Sequence, residues 1–335
     1  MDLLTQGLLG GATALAGAKR KECRLAALSG FAAALLADAD IFIRAADDPL
    51  LNIEFHRHFS HALIFIPAGA LIAALLLWPL LRKRLRFRRL YLYALLGYAT
   101  AGILDACTSY GTHLLWPFSD TRIAWSIIAI VDPLFSLILL IALVIGVWRY
   151  RARAAHIGLT LAGVYLLLGV WQQHNALGVA QELAASRGHD VERALVKPTL
   201  GNLLLWRSVY RYGDRFYVDA VRVGPGGERV YAGSSLPRFD VQRDLPGVAA
   251  DPVLRDDIER FARLADGFVV RDPTRELVLT DIRYSMLPTG LTPMWGLDLD
   301  TASAGEHAGF KVYRNRPQNA RELFMAMLLG RDLPD

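Results

Sequence analysis

Cysteine is nearly missing from this chain. Cys23 and Cys107 are the two present in 335 residues, and the topology derived below sets them at opposite faces of a bilayer. That excludes a disulfide between them and a cysteine-based zinc finger. No internal repeat or low-complexity segment stands out, and inverted repeats are what many transporters are built from. A basic start is lacking too: Lys19, Arg20, Lys21 and Arg24 follow the first apolar stretch rather than precede it, which excludes a secretory signal. Gly224-Pro225-Gly226-Gly227 is a hairpin-turn signal with no helix pattern behind it, so it is not a phosphate-cradling loop. The net charge of +5 and pI near 9.3 would suit nucleic acid, but the densest basic runs, at 82–89 and 149–153, sit between long apolar segments. They are topology signals, and no nucleic-acid partner is expected.

Apolar residues are what the chain has in excess. A hydrophobic content of 53% and a mean hydropathy of +0.29 go with 21% charged residues, the balance of a membrane protein with a soluble appendage. The clearest spans are Phe59 to Leu81, Leu90 to Cys107, Trp125 to Trp148 and Ile157 to Leu177, each near the roughly 20 residues that cross about 30 Å of hydrocarbon. Leu25 to Phe42 is a weaker, Ala-rich fifth; Leu3 to Ala18 is short and Gly-rich, and reads as a tilted span, a re-entrant segment or an interfacial helix.

If the basic clusters at 19–24, 82–89 and 149–153 are cytoplasmic, the loops at 43–58 and 109–124 and everything after about Val179 lie outside. From Leu203–Tyr210 onward, β-like stretches alternate with Gly, Pro and Asp at Arg215–Val223, Gly267–Val270, Leu277–Arg283 and Met294–Leu299, after a polar helix and connector at 180–198. The fold expected is an α-helical membrane bundle of five or six segments, residues 1–178, followed by an extracytoplasmic, mainly β domain, residues 179–335.

Ionisable groups are costly in hydrocarbon and persist there with partners or a function. Asp38, Asp40, His56, His61 and Asp105 all fall at or near the same predicted side of separate apolar segments. Carboxylates with neutral imidazoles are what zinc, manganese or iron sites use, with an open position left for water. Zinc is the default ion, manganese the next, and the carboxylates could bridge a pair. On a continuous helix His58 and His61 would share a face at i, i+3, which adds His58 to the ligand candidates. Asp132, before Pro133, reads as about seven residues inside the fifth span, roughly 10 Å deep; it could ligate a metal, orient a histidine or accept backbone hydrogen bonds. His113 and His174 read as interfacial or packing residues, and Trp116-Pro117-Phe118 as an interfacial anchor.

Several motifs occur in order: Met1-Asp2-Leu3-Leu4-Thr5-Gln6-Gly7-Leu8-Leu9-Gly10, Leu35-Leu36-Ala37-Asp38-Ala39-Asp40, His56-Arg57-His58-Phe59-Ser60-His61, Leu104-Asp105-Ala106-Cys107-Thr108-Ser109-Tyr110-Gly111-Thr112, and Leu115-Trp116-Pro117-Phe118-Ser119-Asp120. With Asp132-Pro133 and 198–207 they resemble the YdjM-like family of bacterial inner-membrane proteins, named as metal-dependent hydrolases. The chain departs from that pattern at Gln6, Ala37 and His58, where the family has histidine, proline and glycine. The resemblance implies a membrane-bound hydrolase dependent on a divalent metal.

The expected activity is metal-assisted hydrolysis at the outer face of the inner membrane, with a lipid ester or phosphoester as the substrate class. Asp38, Asp40, His56, His61, Asp105 and His58 are the expected ligands, and a carboxylate left free of the metal, such as Asp105, would be the general base. Arg57, Thr108 and Tyr110 are the expected substrate-positioning residues. The rival is a cation transporter or metal-handling membrane protein without hydrolytic activity, and a scaffold whose β domain binds a partner is a third reading.

Overall fold

The computed structural model describes residues 1–247, 251–302, 305–313 and 318–333. The chain divides into two compact units that interleave in sequence: Met1–Ile43, Phe55–Trp171 and Leu200–Asn202 form one, and Arg44–Glu54, Gln172–Thr199 and Leu203–Asp335 the other.

The first unit is helical. Asp2 caps helix α1 (Leu3–Ala16) by accepting from the Thr5 N–H, which satisfies one of the backbone donors a helix start leaves free. Helix α2 (Cys23–Leu36) continues into a 3-10 stretch, Ala37–Phe42. The short α3 (Leu51–Phe55) is followed by α4 (Ile66–Leu81), α5 (Phe87–Ala106), α6 (Pro133–Arg149) and the long α7 (Ala152–Ser186), whose residues are shared between the units. Small residues let α1, α2 and α5 close on one another. A Cβ at Gly97 would sit 2.2 Å from the Gly30 carbonyl oxygen, and one at Gly30 would sit 2.4 Å from that of Gly10. This is the small-residue packing by which helices associate where lipid removes the hydrophobic drive.

Among the described residues three stretches are long and apolar enough to cross a membrane: Arg20–Phe42, Leu63–Leu81 and Ala152–Ser186; α1 and α6 are apolar but shorter. Helix α5 stays outside that group because Arg88, Arg89 and its tyrosines dilute its apolar content. Leu71, Ile72, Leu75, Leu76 and Leu80 of α4, and Ile157, Leu161, Val164, Leu167 and Trp171 of α7, are all exposed. Contiguous aliphatic surface of this size calls for a cover, and a bilayer supplies one.

Two local expectations are corrected. The stretch from Trp125 is not helical before Pro133, because Pro133 occupies the first helical position and Asp132 is the cap, accepting from the Phe135 N–H at 3.1 Å. Residues 125–127 instead fold back over the end of α5, with the Trp125 N–H donating to the Ala106 carbonyl at 2.7 Å and the Ile127 N–H to that of Cys107 at 2.9 Å. Nor do His58 and His61 share a helix face. Arg57 takes a left-handed conformation (φ 62°), which breaks the chain between α3 and the 3-10 turn Phe59–His61.

The second unit contains two four-stranded antiparallel sheets in simple order. The first is β1 (Arg193–Pro198), β2 (Leu205–Tyr212), β3 (Arg215–Arg222) and β4 (Arg229–Pro237); the second is β5 (Val269–Asp272), β6 (Arg275–Asp281), β7 (Trp295–Asp298) and β8 (Gly309–Val312). Helices α8 (Val241–Asp244) and α9 (Pro252–Leu264) lie between them in sequence, and α10 (Ala320–Leu329) follows. Val209, Phe216 and Val218 pack on Phe268, Val270 and Ile282. Leu50 is buried with Leu254, Ile258, Phe261 and Leu279, which is why residues 44–54 belong to this unit. The β-like stretches expected from the sequence are β2, β3, β5, β6 and β7. β1 is a strand where 180–198 reads as helix and connector, since α7 ends at Ser186. β4 and β8 were not anticipated.

Candidate metal centre

The last turn of α2 tightens to 3-10 geometry and places two acids on it, Asp38 and Asp40, both buried. Asp40 is held from three sides. Its Oδ1 lies 3.0 Å from His56 Nδ1, and its Oδ2 accepts from the Arg57 N–H at 2.8 Å and from Ser60 Oγ at 2.6 Å. Arg57's left-handed backbone is therefore part of the site, where backbone strain tends to collect. Its carbonyl accepts from Thr112 Oγ1 at 2.9 Å and from the His113 N–H at 3.1 Å, so the loop after α5 pins the turn that carries His56.

Asp105, the penultimate residue of α5, is fully buried. Gln6 Nε2 donates to its Oδ2 at 2.7 Å, Arg57 Nε lies 3.3 Å from the same oxygen, and the Met1 amino group pairs with Oδ1. Thr108 Oγ1 donates to the Asp105 carbonyl at 2.8 Å and accepts from Arg57 Nη1 at 3.4 Å. His61 sits among the three acids. Its Nε2 is 3.0 Å from Asp105 Oδ2 and 3.4 Å from Asp38 Oδ1, and its Nδ1 is 3.0 Å from Ser60 Oγ.

The hydroxyl of Ser60 is committed to Asp40, so His61 Nδ1–H donates to Ser60 Oγ and the free lone pair is on Nε2. That lone pair faces carboxylate oxygens without hydrogen-bond geometry: His61 Nε2, both oxygens of Asp38 and Gln6 Oε1 are buried with no hydrogen-bond partner. Donor atoms pointed at one another repel unless a cation lies between them, either a proton on the imidazole or a metal ion. Ligands about 2 Å from a shared tetrahedral ion lie about 3.3 Å apart, and the His61 distances of 3.0 and 3.4 Å match that spacing. The donor set of imidazole nitrogen and carboxylate oxygen fits a divalent ion of the zinc or manganese kind. Two donor groups within reach of an ion, Asp38–His61–Asp105 and Asp38–Asp40–His56, share Asp38.

Of the residues singled out from the sequence, Asp38, Asp40, His56, His61 and Asp105 come together, with Arg57 and Thr108 beside them. Tyr110 lines the edge, its ring 5.9 Å from that of His56. His58 stands in neither donor group: its ring packs 4.6 Å from that of His113 and 5.6 Å from that of Trp116. His113 is pushed down to about 4 by burial, with Arg122 and His58 adding to the effect, so it packs as a neutral ring. Asp132 accepts from Phe135 N–H and Tyr165 Oη at the start of α6, outside both groups. Ser60, the hydrogen-bonding role of Gln6, and Arg122 were missed. Ser60 lies inside the His56–His61 motif and could have been found there; nothing in the sequence marks Arg122.

A cavity of about 570 Å³ reaches the centre, lined by Leu35, Leu36, Ile41 and Phe42 and, at its polar end, by Asp38 and His56.

An apolar helical unit that buries acids and imidazoles around an unsatisfied point defines a membrane protein with a candidate cation centre. The model of the YdjM inner membrane protein family matches residues 1–176, and the chain belongs to that family. The chain is also similar to the uncharacterized protein YfhP of Bacillus subtilis (strain 168), 26% identical over 171 residues, and it spans about half the length of that curated relative, the match covering 50% of each. No solved structure matches.

Proposed function

We propose that the protein is a metal-dependent hydrolase of the inner membrane. The observation that carries the reading is that His61 Nε2, both oxygens of Asp38 and Gln6 Oε1 are buried without a hydrogen-bond partner, with His61 Nε2 3.4 Å from Asp38 Oδ1. Asp38, Asp40, His56, His61 and Asp105 would hold a divalent ion, zinc first and manganese second. When bound, that ion supplies a Lewis acid for an ester or phosphoryl oxygen and eases deprotonation of water. Asp38 lines the cavity with both oxygens free of hydrogen bonds, so one oxygen could hold the ion while the other accepts the proton of an attacking water. Asp105 orients His61 and Arg57, Ser60 fixes the tautomer of His61, and Arg57, Thr108 and Tyr110 position the substrate. The apolar cavity favours a lipid ester or phosphoester, with its tail along Leu35, Leu36 and Phe42 and its polar end at Asp38.

The basic clusters favour a bundle of five or six membrane segments, with residues 45–57, 109–124 and the β unit on the extracytoplasmic side. Labelling of single cysteines from outside intact cells tests this: Ser235→Cys should react and Arg86→Cys should not, and the reverse pattern sinks the topology. For the activity, purified protein should hydrolyse phospholipid or generic phosphoester substrates only with added divalent cation. Turnover should fall at acid pH as the ligands protonate, and Asp105→Asn should abolish it while leaving membrane insertion intact. Asp105-dependent cation flux into liposomes without any hydrolysis would assign the centre to transport instead.

A further inference from the structure

Beside the acid–imidazole cluster the chain gathers positive charge. Arg57 and Arg122 both lay their guanidinium groups on the ring of Tyr110, at 5.3 and 4.7 Å from its centroid. Arg122 comes from the loop before α6, and its Nη2 donates to the His56 carbonyl at 3.4 Å. That sets it next to the residue whose imidazole meets Asp40. It rests on a neutral ring and a neutral carbonyl, and it makes no ion pair among the described residues. Arg122 Nη1 and Arg57 Nε are buried and make no hydrogen bond, although Arg57 Nε does lie 3.3 Å from Asp105 Oδ2. Arg57 itself is 5% exposed. A buried guanidinium N–H without an acceptor, as at Arg122 Nη1, is costly to keep, and a planar guanidinium fork fits the oxygens of a phosphate.

We infer that Arg122, with Arg57 and Tyr110, forms a subsite for the oxygens of a phosphoryl group, and that the bond cleaved at the adjacent centre is a phosphoester bond. This rests on the hydrolase reading given above. A carboxylic ester is neutral and offers one carbonyl oxygen to the guanidinium groups, whereas a phosphoester brings a negative charge for Arg122, Arg57 being already paired with Asp105. In the reaction a water oxygen bonds to phosphorus and the bond from phosphorus to the ester oxygen breaks. The water's proton passes by way of Asp38 to the departing alkoxide. The chemistry recognised is the phosphoryl group, whether it is borne by a lipid headgroup or by a soluble phosphoester.

The test uses the full chain in nanodiscs of neutral phosphatidylcholine, with metal content measured separately by elemental analysis. Binding of inorganic phosphate, followed by phosphorus NMR line broadening, should weaken roughly tenfold or more in Arg122→Gln, the scale expected for one charged hydrogen bond. Its metal content should be unchanged. Arg122→Lys, which keeps the charge and loses the fork, should fall in between and guards against misfolding of the glutamine variant. Phosphatidic acid placed in the nanodisc, set against glycerol phosphate in solution, tells the lipid source from the soluble one; binding of either that depends on Arg122 supports the subsite. Equal phosphate binding by wild type and Arg122→Gln, both loaded with metal, overturns it. Arg122-dependent phosphate binding by a protein that takes up no metal would keep the subsite and overturn the metal centre instead.

Discussion

In the β-containing unit, Asp48, Asp257 and His307 approach one another as closely as Asp38, His61 and Asp105 do in the helical one. What fills the space between them differs. Arg260, 7% exposed, spends its whole guanidinium there: Nε donates to Glu54 at 2.9 Å, Nη1 to Asp257 at 3.2 Å, and Nη2 to Asp48 at 2.8 Å and Glu54 at 2.7 Å. The second oxygen of Asp257 accepts from the Ala308 N–H at 2.8 Å, and His307 Nδ1 lies 2.9 Å from the first. No side-chain atom of this group is left buried and unpaired among the described residues, whereas Asp38 and His61 are. The same residue types thus make a closed ion-pair cluster where an arginine satisfies every acid, and a set with unsatisfied donor atoms where Arg57 pairs with Asp105 and both oxygens of Asp38 are left without a hydrogen bond. Proximity of acids and histidines is weak support for a metal; unsatisfied donor atoms are the discriminating feature.

The comparison can be broken most decisively at the ligands. His61→Ala should lower metal affinity by about 100-fold or more, while Asp257→Asn and His174→Ala should leave metal content as it is. Elemental analysis of the purified variants checks this, and equal loss in His61→Ala and Asp257→Asn would erase the distinction. Arg260→Ala should cost about 3–5 kcal/mol of stability, because it removes the one guanidinium that pairs Asp48, Glu54 and the buried Asp257 together. Thermal unfolding of the full chain in detergent reads that loss, and a melting curve like that of wild type would mean the cluster is not closed by Arg260.

Ser60→Ala should act more mildly on the first centre, weakening metal binding by roughly 10- to 100-fold through loss of the hydroxyl between His61 and Asp40. Unaltered affinity would show that the tautomer of His61 is set otherwise. The smallest effect concerns His307. The hydrogen bond that His307 donates to Asp257, together with the Asp257 charge, raises the pKa of His307 above the ordinary value despite some burial. A raised folded-state value means that its stabilising contribution is complete below about pH 6.5 and is lost as pH rises through the folded-state pKa. Imidazole NMR of the full chain should show a titration displaced upward in wild type and returned toward the ordinary value in Asp257→Asn.

Where the sequence was read correctly, a local rule sufficed. The strands β2, β3 and β6 follow from short apolar, β-branched and aromatic runs bounded by turn residues, and the β3–β4 turn follows from Gly224 to Gly227, three of whose glycines take positive φ. Asp38, Asp40, His56, His61 and Asp105 were legible because acids and imidazoles in or beside apolar segments are expensive, whatever the fold. Where the reading failed, a local signal had a stronger competitor. Apolar residues from Trp125 look continuous with the helix behind them, but Asp132 and Pro133 form a helix start, and residues before it bond to the end of α5. The histidine triplet looks helical, but Asp40 draws the Arg57 N–H into a turn.

Composition and period by themselves determined that this is a membrane protein, that its C-terminal part is β-rich, and which side chains are too costly to be incidental, because these depend on transfer energies and local geometry. Tertiary structure alone decided that residues 44–54 belong with the β unit, that His58 joins an aromatic cluster, and that Arg260 closes one acid cluster while Asp38 and Nε2 of His61 are left without hydrogen bonds. Pairing of charges is a property of positions in space, and residues 48 and 260 or 38, 61 and 105 have no fixed relation along the chain.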